Sequence, residues 1–453
     1  METSAFIHEW LDTIHQRQYP GDSLSTPTTP THKRAHPFNQ EPEENDDEAS
    51  TMSGPSTPNK RRRVESRLDE LDQPPLAALL NRIAALEHAA QLSPSRSPSP
   101  IKSSIKSTPS NASSLRRKFP SLDLANEGIV KRQLTGPRAP HLPKAIKHAL
   151  LQIQRFERCK GVLAPGMNTP DMDALMEEFD LDHTAFAGTT HEGSWLTPET
   201  VDGICSDAQR CFEMGHDEPV WNIEVHNPLL KEVFRTGDER LVDFSLCTTA
   251  SIIKDYLPTP PPDKHIDFCL YIDPREEPDP RYAIKTESLR QELPQKSINH
   301  TTYGALHSYP IAVSLETTRS GDDFDGAVLQ IAMWQAAHWK MLRSLLHGVA
   351  PARLVASRDD TRSEAQYVDD ALDELGALHG IIMQGHDWYY AATSPEKTNP
   401  DGTPSLRTIL WLHQPIGRTN SGLGIHKIAA FLEHIKEWTT LVYWQWFKKY
   451  ILD

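Results

Sequence analysis

Apolar positions along residues 141–453 recur with two periods, one near 3.6 and one near 2, and stretches of the two kinds follow one another along the chain. "AIKHALLQIQRFERC" carries the helical period. "SWLTPETVDGICSDAQRCFEMG" carries it again, with Thr197 as a candidate cap and Pro198 at the first helical position. "EPVWNIEVHNPLLKEVF" predicts a third helical stretch, interrupted near Pro228. The texture then turns strand-like: "LVDFSLCTTASI", "HIDFCLYID" and "PIAVSLET" alternate or run apolar. "DGAVLQIAMWQAAHWKMLRSLLHG" predicts a strong helix ending at Gly348. "HGIIMQGHDWYYAAT" and "LRTILWLHQPI" predict a pair of strands, and "GIHKIAAFLEHIKEWTTLVYWQWFKKYIL" a long closing helix. This order predicts one α/β domain over residues 141–453, a mixed β-sheet flanked by helices.

Upstream the pattern fades. Residues 20–65 and 93–140 are rich in Ser, Thr and Pro, as in "STPTTPTH" and "SPSRSPSP". Such segments bury too little apolar surface to offset chain entropy, so residues 1–140 are expected to form a long, largely disordered N-terminal region. Its Thr57-Pro58 and Ser97-Pro98 steps are candidate phosphorylation sites. Within it, "PPLAALLNRIAALEHAAQL" predicts a short amphipathic helix at about 74–92, too short to establish a dimer. "NKRRRVE" places Lys60, Arg61, Arg62 and Arg63 together, which reads as a nuclear import signal with an import receptor as partner. The expected location is the nucleus, otherwise the cytoplasm.

Charge sharpens the division. The 453 residues sum to −15, but the balance is −7 over 1–50, +8 over 51–140 and −16 over 141–453. The positive charge sits in the tail and the body is acidic, which predicts weak non-specific affinity of the body for nucleic acid. Five cysteines, an odd number, argue against a disulfide framework and for a reducing compartment. The start lacks a signal-peptide layout and no run approaches 18 apolar residues, so no membrane partner is expected. The sequons at Asn111 and Asn299 then have no secretory context.

The candidate chemistry lies in "PIAVSLETTRSG". Strand alternation puts Ser314, Glu316 and Thr318 on one face and Val313, Leu315 and Thr317 on the other. In "HIDFCLYID", Asp267 shares a face with Cys269 and Tyr271. If the two strands pair near their ends, Asp267 and Glu316 converge. Two carboxylates close together at low dielectric need a shared proton or a cation. Oxygen-only ligands suit Mg²⁺, which takes one or two carboxylates with water and substrate phosphate. Other motifs carry less. Cys205, Cys211 and His216 do not match zinc spacing and read as buried thiols. "NSGLGIHK" lacks the ending of a P-loop and reads as a helix entry. His386 and Asp387 read as strand or turn residues, and Trp438, Trp444 and Trp446 as core.

The wording around these residues resembles the PD-(D/E)xK nuclease superfamily. The matching residues are Asp267 in "KHIDFCLYI", Glu316 in "IAVSLETT" and Gln330 in "VLQIAMW". The flanks "WNIEVHNPLL", "SINHTTYGALHSYPIAVSLETT", "LQIAMWQAAHW" and "GIIMQGHDWYYAAT" are similar to a large group of filamentous-fungal proteins described as PD-(D/E)xK nuclease-like. The resemblance spans roughly residues 145–450. It implies a restriction-endonuclease-like fold and metal-dependent hydrolysis of phosphodiester bonds in DNA or RNA. It also implies Mg²⁺, with Mn²⁺ as a substitute. On that pattern Asp267 and Glu316 are metal ligands, Gln330 orients the site, and Glu224 is a further acidic ligand. The pattern asks for a lysine two residues after the glutamate; this chain has Thr318 there. A hydroxyl supplies a hydrogen bond but no positive charge. The alternative expectation is therefore a catalytically inactive, nuclease-like nuclear binding or scaffold protein.

Overall fold

Seven strands form one mixed sheet in the computed structural model. It describes residues 128–453 apart from 140, 166–172, 175, 178, 189–194, 238–239, 258–265, 320, 322–323, 357–360 and 398–404. The strands are β1 (Ile129–Gln133), β2 (Val242–Leu246), β3 (Phe268–Ile272), β4 (Ile311–Thr318), β5 (Leu378–Gln384), β6 (Asp387–Pro395) and β7 (Thr408–Arg418). Their order across the sheet is β1-β7-β6-β5-β4-β3-β2. β4 runs parallel to β5 and β1 parallel to β7; every other neighbouring pair is antiparallel. β4 and β5 are covered on both faces, which is why "IAVSLET" and "LHGIIM" run apolar rather than alternate.

Alternate residues of these strands feed two cores. Val313, Leu315, Ile381 and Met383 enter the larger one, with Trp388 and Tyr390. Ile382, Ala391 and Leu410 enter the other, beneath Ile331 and Trp334. The first face is covered by α1 (Lys144–Glu157), α2 (Pro198–Glu213) and a third helix, α3. This helix runs as Glu218–Trp221, a π turn at Asn222–His226, and Asn227–Arg235. The closing helix α7 begins at Gly422–Trp438, continues through Leu452, and packs on β7, α1, α2 and α3. The second face is covered by α5 (Phe324–Ala356), the helix between β4 and β5 in the chain. Two further helices, α4 (Arg281–Glu292) and α6 (Glu364–Leu375), lie between β3 and β4 and after α5.

Several expectations change. The sheet takes in β1, which lies within the 1–140 segment assigned to a disordered tail, so a domain drawn from 141 leaves out an edge strand. The helix expected to stop at Gly348 continues to Ala356, with Pro351 inside it. "HGIIMQGHDWYYAAT" is two antiparallel strands, β5 and β6, turned at Gly385, whose φ of 55° suits glycine. The interruption near Pro228 is the π turn, which re-routes the helix where the proline ring would meet the carbonyl of Glu224. The Lys60–Arg63 cluster and the helix expected at 74–92 lie outside the described residues. Among the described residues all five cysteines are free thiols, and no helix is long and apolar enough to cross a membrane.

Two residues expected to carry little are structural in a definite way. Asn299 is buried; its amide donates to the carbonyls of Leu306 and Tyr309 and its oxygen accepts from Ile311 N–H, which fixes the entry to β4. In "NSGLGIHK", a Cβ on Gly424 would lie 2.1 Å from the Arg418 carbonyl oxygen. The glycine thus lets α7 dock on β7, and Ser421 caps the helix by accepting from Gly424 N–H.

Candidate active site

The two acidic residues singled out from the sequence lie on neighbouring strands at one end of the sheet. In the β3–β4 register Phe268 opposes Leu315, and the next position along sets Asp267 opposite Glu316. Both are buried, at 7% and 2% exposure. Burial of two like charges side by side is unfavourable without donors directed at them. The chain supplies these. Asp267 Oδ2 accepts from Thr317 N–H at 2.8 Å and from the Thr317 hydroxyl at 2.7 Å. Glu316 Oε1 accepts from Gln330 Nε2 on the first turns of α5. Gln330 thus lies against Glu316.

The Thr317 hydroxyl is the end of a longer relay. Asn222 Nδ2 donates to Thr317 Oγ1 at 3.1 Å, and Asn222 Oδ1 lies 3.0 Å from His226 Nδ1. Burial lowers the pKa of His226 to about 4, so its ring is neutral and carries a single N–H. The shorter of its two contacts places that proton on Nδ1; Nε2 is 3.5 Å from the Gly385 carbonyl. Each link then donates toward the next, from His226 through Asn222 and Thr317 to Asp267. Asn222 and His226 are the first and last residues of the π turn. These residues were not picked out from the sequence. The available signal was a polar pair four apart inside the otherwise helical "WNIEVHNPLL".

Alternation holds past the end of β4. Thr317 faces α3, and Arg319 faces the same way: its guanidinium donates to the Gly215 carbonyl at 3.0 Å and pairs with Asp217 at 3.2 Å. The charge one residue beyond Thr318 is therefore spent on the α2–α3 junction and does not stand in for the lysine of the pattern. Thr318 itself is half-buried, and its carbonyl accepts from Gly385 N–H at 3.2 Å. Lys264, three residues before Asp267, lies outside the described residues.

Glu224 does not join the pair. Its carboxylate, 39% exposed, accepts from Arg210 of α2 at 2.9 Å. It stands on the outward side of the π turn, where the guanidinium takes it up. Among the described residues no three His, Cys, Asp or Glu side chains are gathered as a metal site, so the expected third ligand is not in place. Asp267 and Glu316 by themselves offer an oxygen-only donor set that fits a hard cation such as Mg²⁺, the remaining positions being water and phosphate oxygens. Cys205, Cys211 and His216 likewise form no cluster. His386 sits in the β5–β6 turn with Nδ1 3.0 Å from Thr419 Oγ1, and Trp438, Trp444 and Trp446 are buried core residues.

No curated protein matches the chain. A family model of the PD-(D/E)XK nuclease superfamily matches residues 169–444, which include Asp267, Glu316, Gln330 and six of the seven strands, and the chain belongs to that superfamily.

Proposed function

We propose that the domain is a metal-dependent nuclease that hydrolyses phosphodiester bonds of DNA or RNA, with Asp267 and Glu316 as its metal-holding carboxylates. The observation that carries the reading is the buried pair facing across β3 and β4 in a chain of this superfamily. Nucleases of the superfamily generally depend on a divalent metal, and Mg²⁺, with Mn²⁺ as a substitute, suits the donor set. Such an ion, when bound, polarises the phosphodiester and acidifies a water. The chain's own residues prepare for this. Thr317 donates two hydrogen bonds to Asp267 Oδ2, with Asn222 and His226 behind it. Gln330 fixes Glu316 Oε1. The flanking phrases support a fungal branch of the family.

A second reading has an observation of its own. With Thr318 at the lysine position and Arg319 turned to Asp217, the described site lacks the cation that would orient water and offset transition-state charge. A binding or scaffold protein retaining the fold accommodates this. Cleavage of single- and double-stranded DNA and RNA with Mg²⁺ or Mn²⁺, run beside Thr318→Lys, separates the two. The nuclease reading expects metal-dependent cleavage by the natural chain, raised further by the lysine. Silence of the natural chain with activity in Thr318→Lys marks a disabled nuclease. Silence of both favours the scaffold.

The nuclear location is part of the same proposal, resting on Lys60, Arg61, Arg62 and Arg63. Changing all four to alanine should shift a fluorescently tagged full chain from nucleus to cytoplasm. Unchanged nuclear accumulation would remove the cluster from the argument.

A further inference from the structure

Charge and shape on α5 single out a second place, distant from the carboxylate pair. Lys340, Arg343 and His347 follow one another at spacings of three and four residues and share a helix face. They line a cavity of about 340 Å³ together with Arg407, Trp339 and Tyr256, within the size range of small-ligand sites. Among the described residues no Asp or Glu lines it, although the chain as a whole carries −15. The contrast with the larger cavity of about 770 Å³ is direct, since Asp370, Asp373, Glu374 and Glu396 all line that one. Two described carboxylates that pair with these cations stand outside the lining. Asp369 meets Arg343 at 3.0 Å from a 62% exposed position, and Glu396 holds Arg407 at 2.6 Å. At the rim Leu406 is 54% exposed.

The geometry points to a binding site for the phosphate group of a nucleotide in this cavity, with Lys340, Arg343 and His347 as the phosphate contacts and the Leu406 rim against the apolar part of the ligand. A guanidinium presents a planar fork suited to phosphate oxygens, and the ammonium and imidazole add donors at adjacent turns. An exposed carboxylate such as Asp369 is a weak competitor for Arg343, because a solvent-exposed ion pair contributes little. Lys340 to His347 lie ten to seventeen residues beyond Gln330, which at the helical rise is about 15–25 Å along α5. The site is thus separate from the carboxylate pair and does not depend on cleavage there. The same phosphate chemistry comes from two sources, a free nucleotide or a nucleic-acid strand.

Metal-free binding tests it in the full chain. The probes are a 5′-labelled single-stranded 20-mer, followed by fluorescence anisotropy in EDTA, and ATP as a competitor and as a calorimetric ligand. The double variant Lys340→Glu, His347→Glu should raise the Kd of whichever probe binds at least tenfold. The milder Lys340→Gln, His347→Gln, checked for an unchanged melting temperature, should raise it less but in the same direction. Binding of ATP that displaces the 20-mer identifies a free-nucleotide site. Binding of the 20-mer that ATP does not displace identifies a strand contact. Equal Kd values in the natural chain and in the folded Gln variant, or binding of neither probe, overturn the proposal. Because cleavage is never read, failure here is distinct from failure of the nuclease reading.

Discussion

Glu316→Gln is expected to lower phosphodiester cleavage by about a thousandfold or more while the chain remains folded. The substitution keeps the shape of the side chain and removes only its charge. Glu316 is 2% exposed and sits opposite Asp267, so the loss of one carboxylate halves the charge available to a divalent ion at that point. Catalysis that relies on preorganised charge loses about 10²–10³ when a single neutral donor is removed, and a charged ligand should cost at least as much. Gln330 gives a graded companion: it touches the ligand rather than the substrate, and Gln330→Ala should cost about 10–100-fold, recovered in part at high metal concentration. That recovery would not follow from a purely structural role. Retained cleavage in a folded Glu316→Gln chain would move the site elsewhere.

Acid should destabilise this domain steeply as pH falls below 6.5. His226, His300, His338 and His379 are all buried, and burial lowers each pKa, to about 4 for His226 and about 3 for His338 and His379. The unfolded chain takes up protons near 6.5, while the folded one refuses them until much lower. Their contribution is therefore full above pH 6.5 and is lost as pH falls toward the folded values. Each depressed histidine costs up to ~1.4 kcal/mol per pH unit in that window, or roughly 2 kcal/mol at pH 5. Four together approach the whole stability of an ordinary domain, about 5–15 kcal/mol. Urea midpoints should change little on these histidines' account between pH 7 and 8 and fall steeply from 6.5 to 5. His338→Gln should flatten that fall. A midpoint independent of pH between 6.5 and 5 would mean that the folded histidines accept protons freely.

The strongly patterned parts of the fold were readable. Thr197 and Pro198 open α2 as their types suggest, with Thr197 accepting from Thr200 N–H, and the apolar runs of β3, β4 and β7 are strands. β1 escaped because "IVKRQ" buries little beyond Ile129 and lies at an edge, where neither alternation nor a continuous apolar run is required. α4 escaped because only Thr286 of "RYAIKTESLRQE" is buried, leaving no apolar stripe to detect. α6 was available: Ser363 and Gln366 form a capping box ahead of a buried face at Tyr367, Val368, Ala371 and Leu372. At the site, Asp267 and Glu316 are expected from strand alternation together with the resemblance, and Gln330 from the resemblance alone. Thr317 and Asn222 are not, because their bond joins residues 95 apart and only folding selects one polar partner among many. Glu224 was placed by analogy, and Arg210 draws it away.

β1 gives the chain a problem of timing during synthesis. Ile129 pairs with Thr408, a partner made about 280 residues later. At ribosomal rates of about 5–20 residues per second, the first strand of the sheet waits roughly 15–55 s for its neighbour to emerge. Until then β1 has no ladder, and once β7 has joined β6 it presents an open edge of its own until β1 arrives. The first strand translated is thus the last whose partner exists, and a chain started at residue 141 would expose that β7 edge permanently.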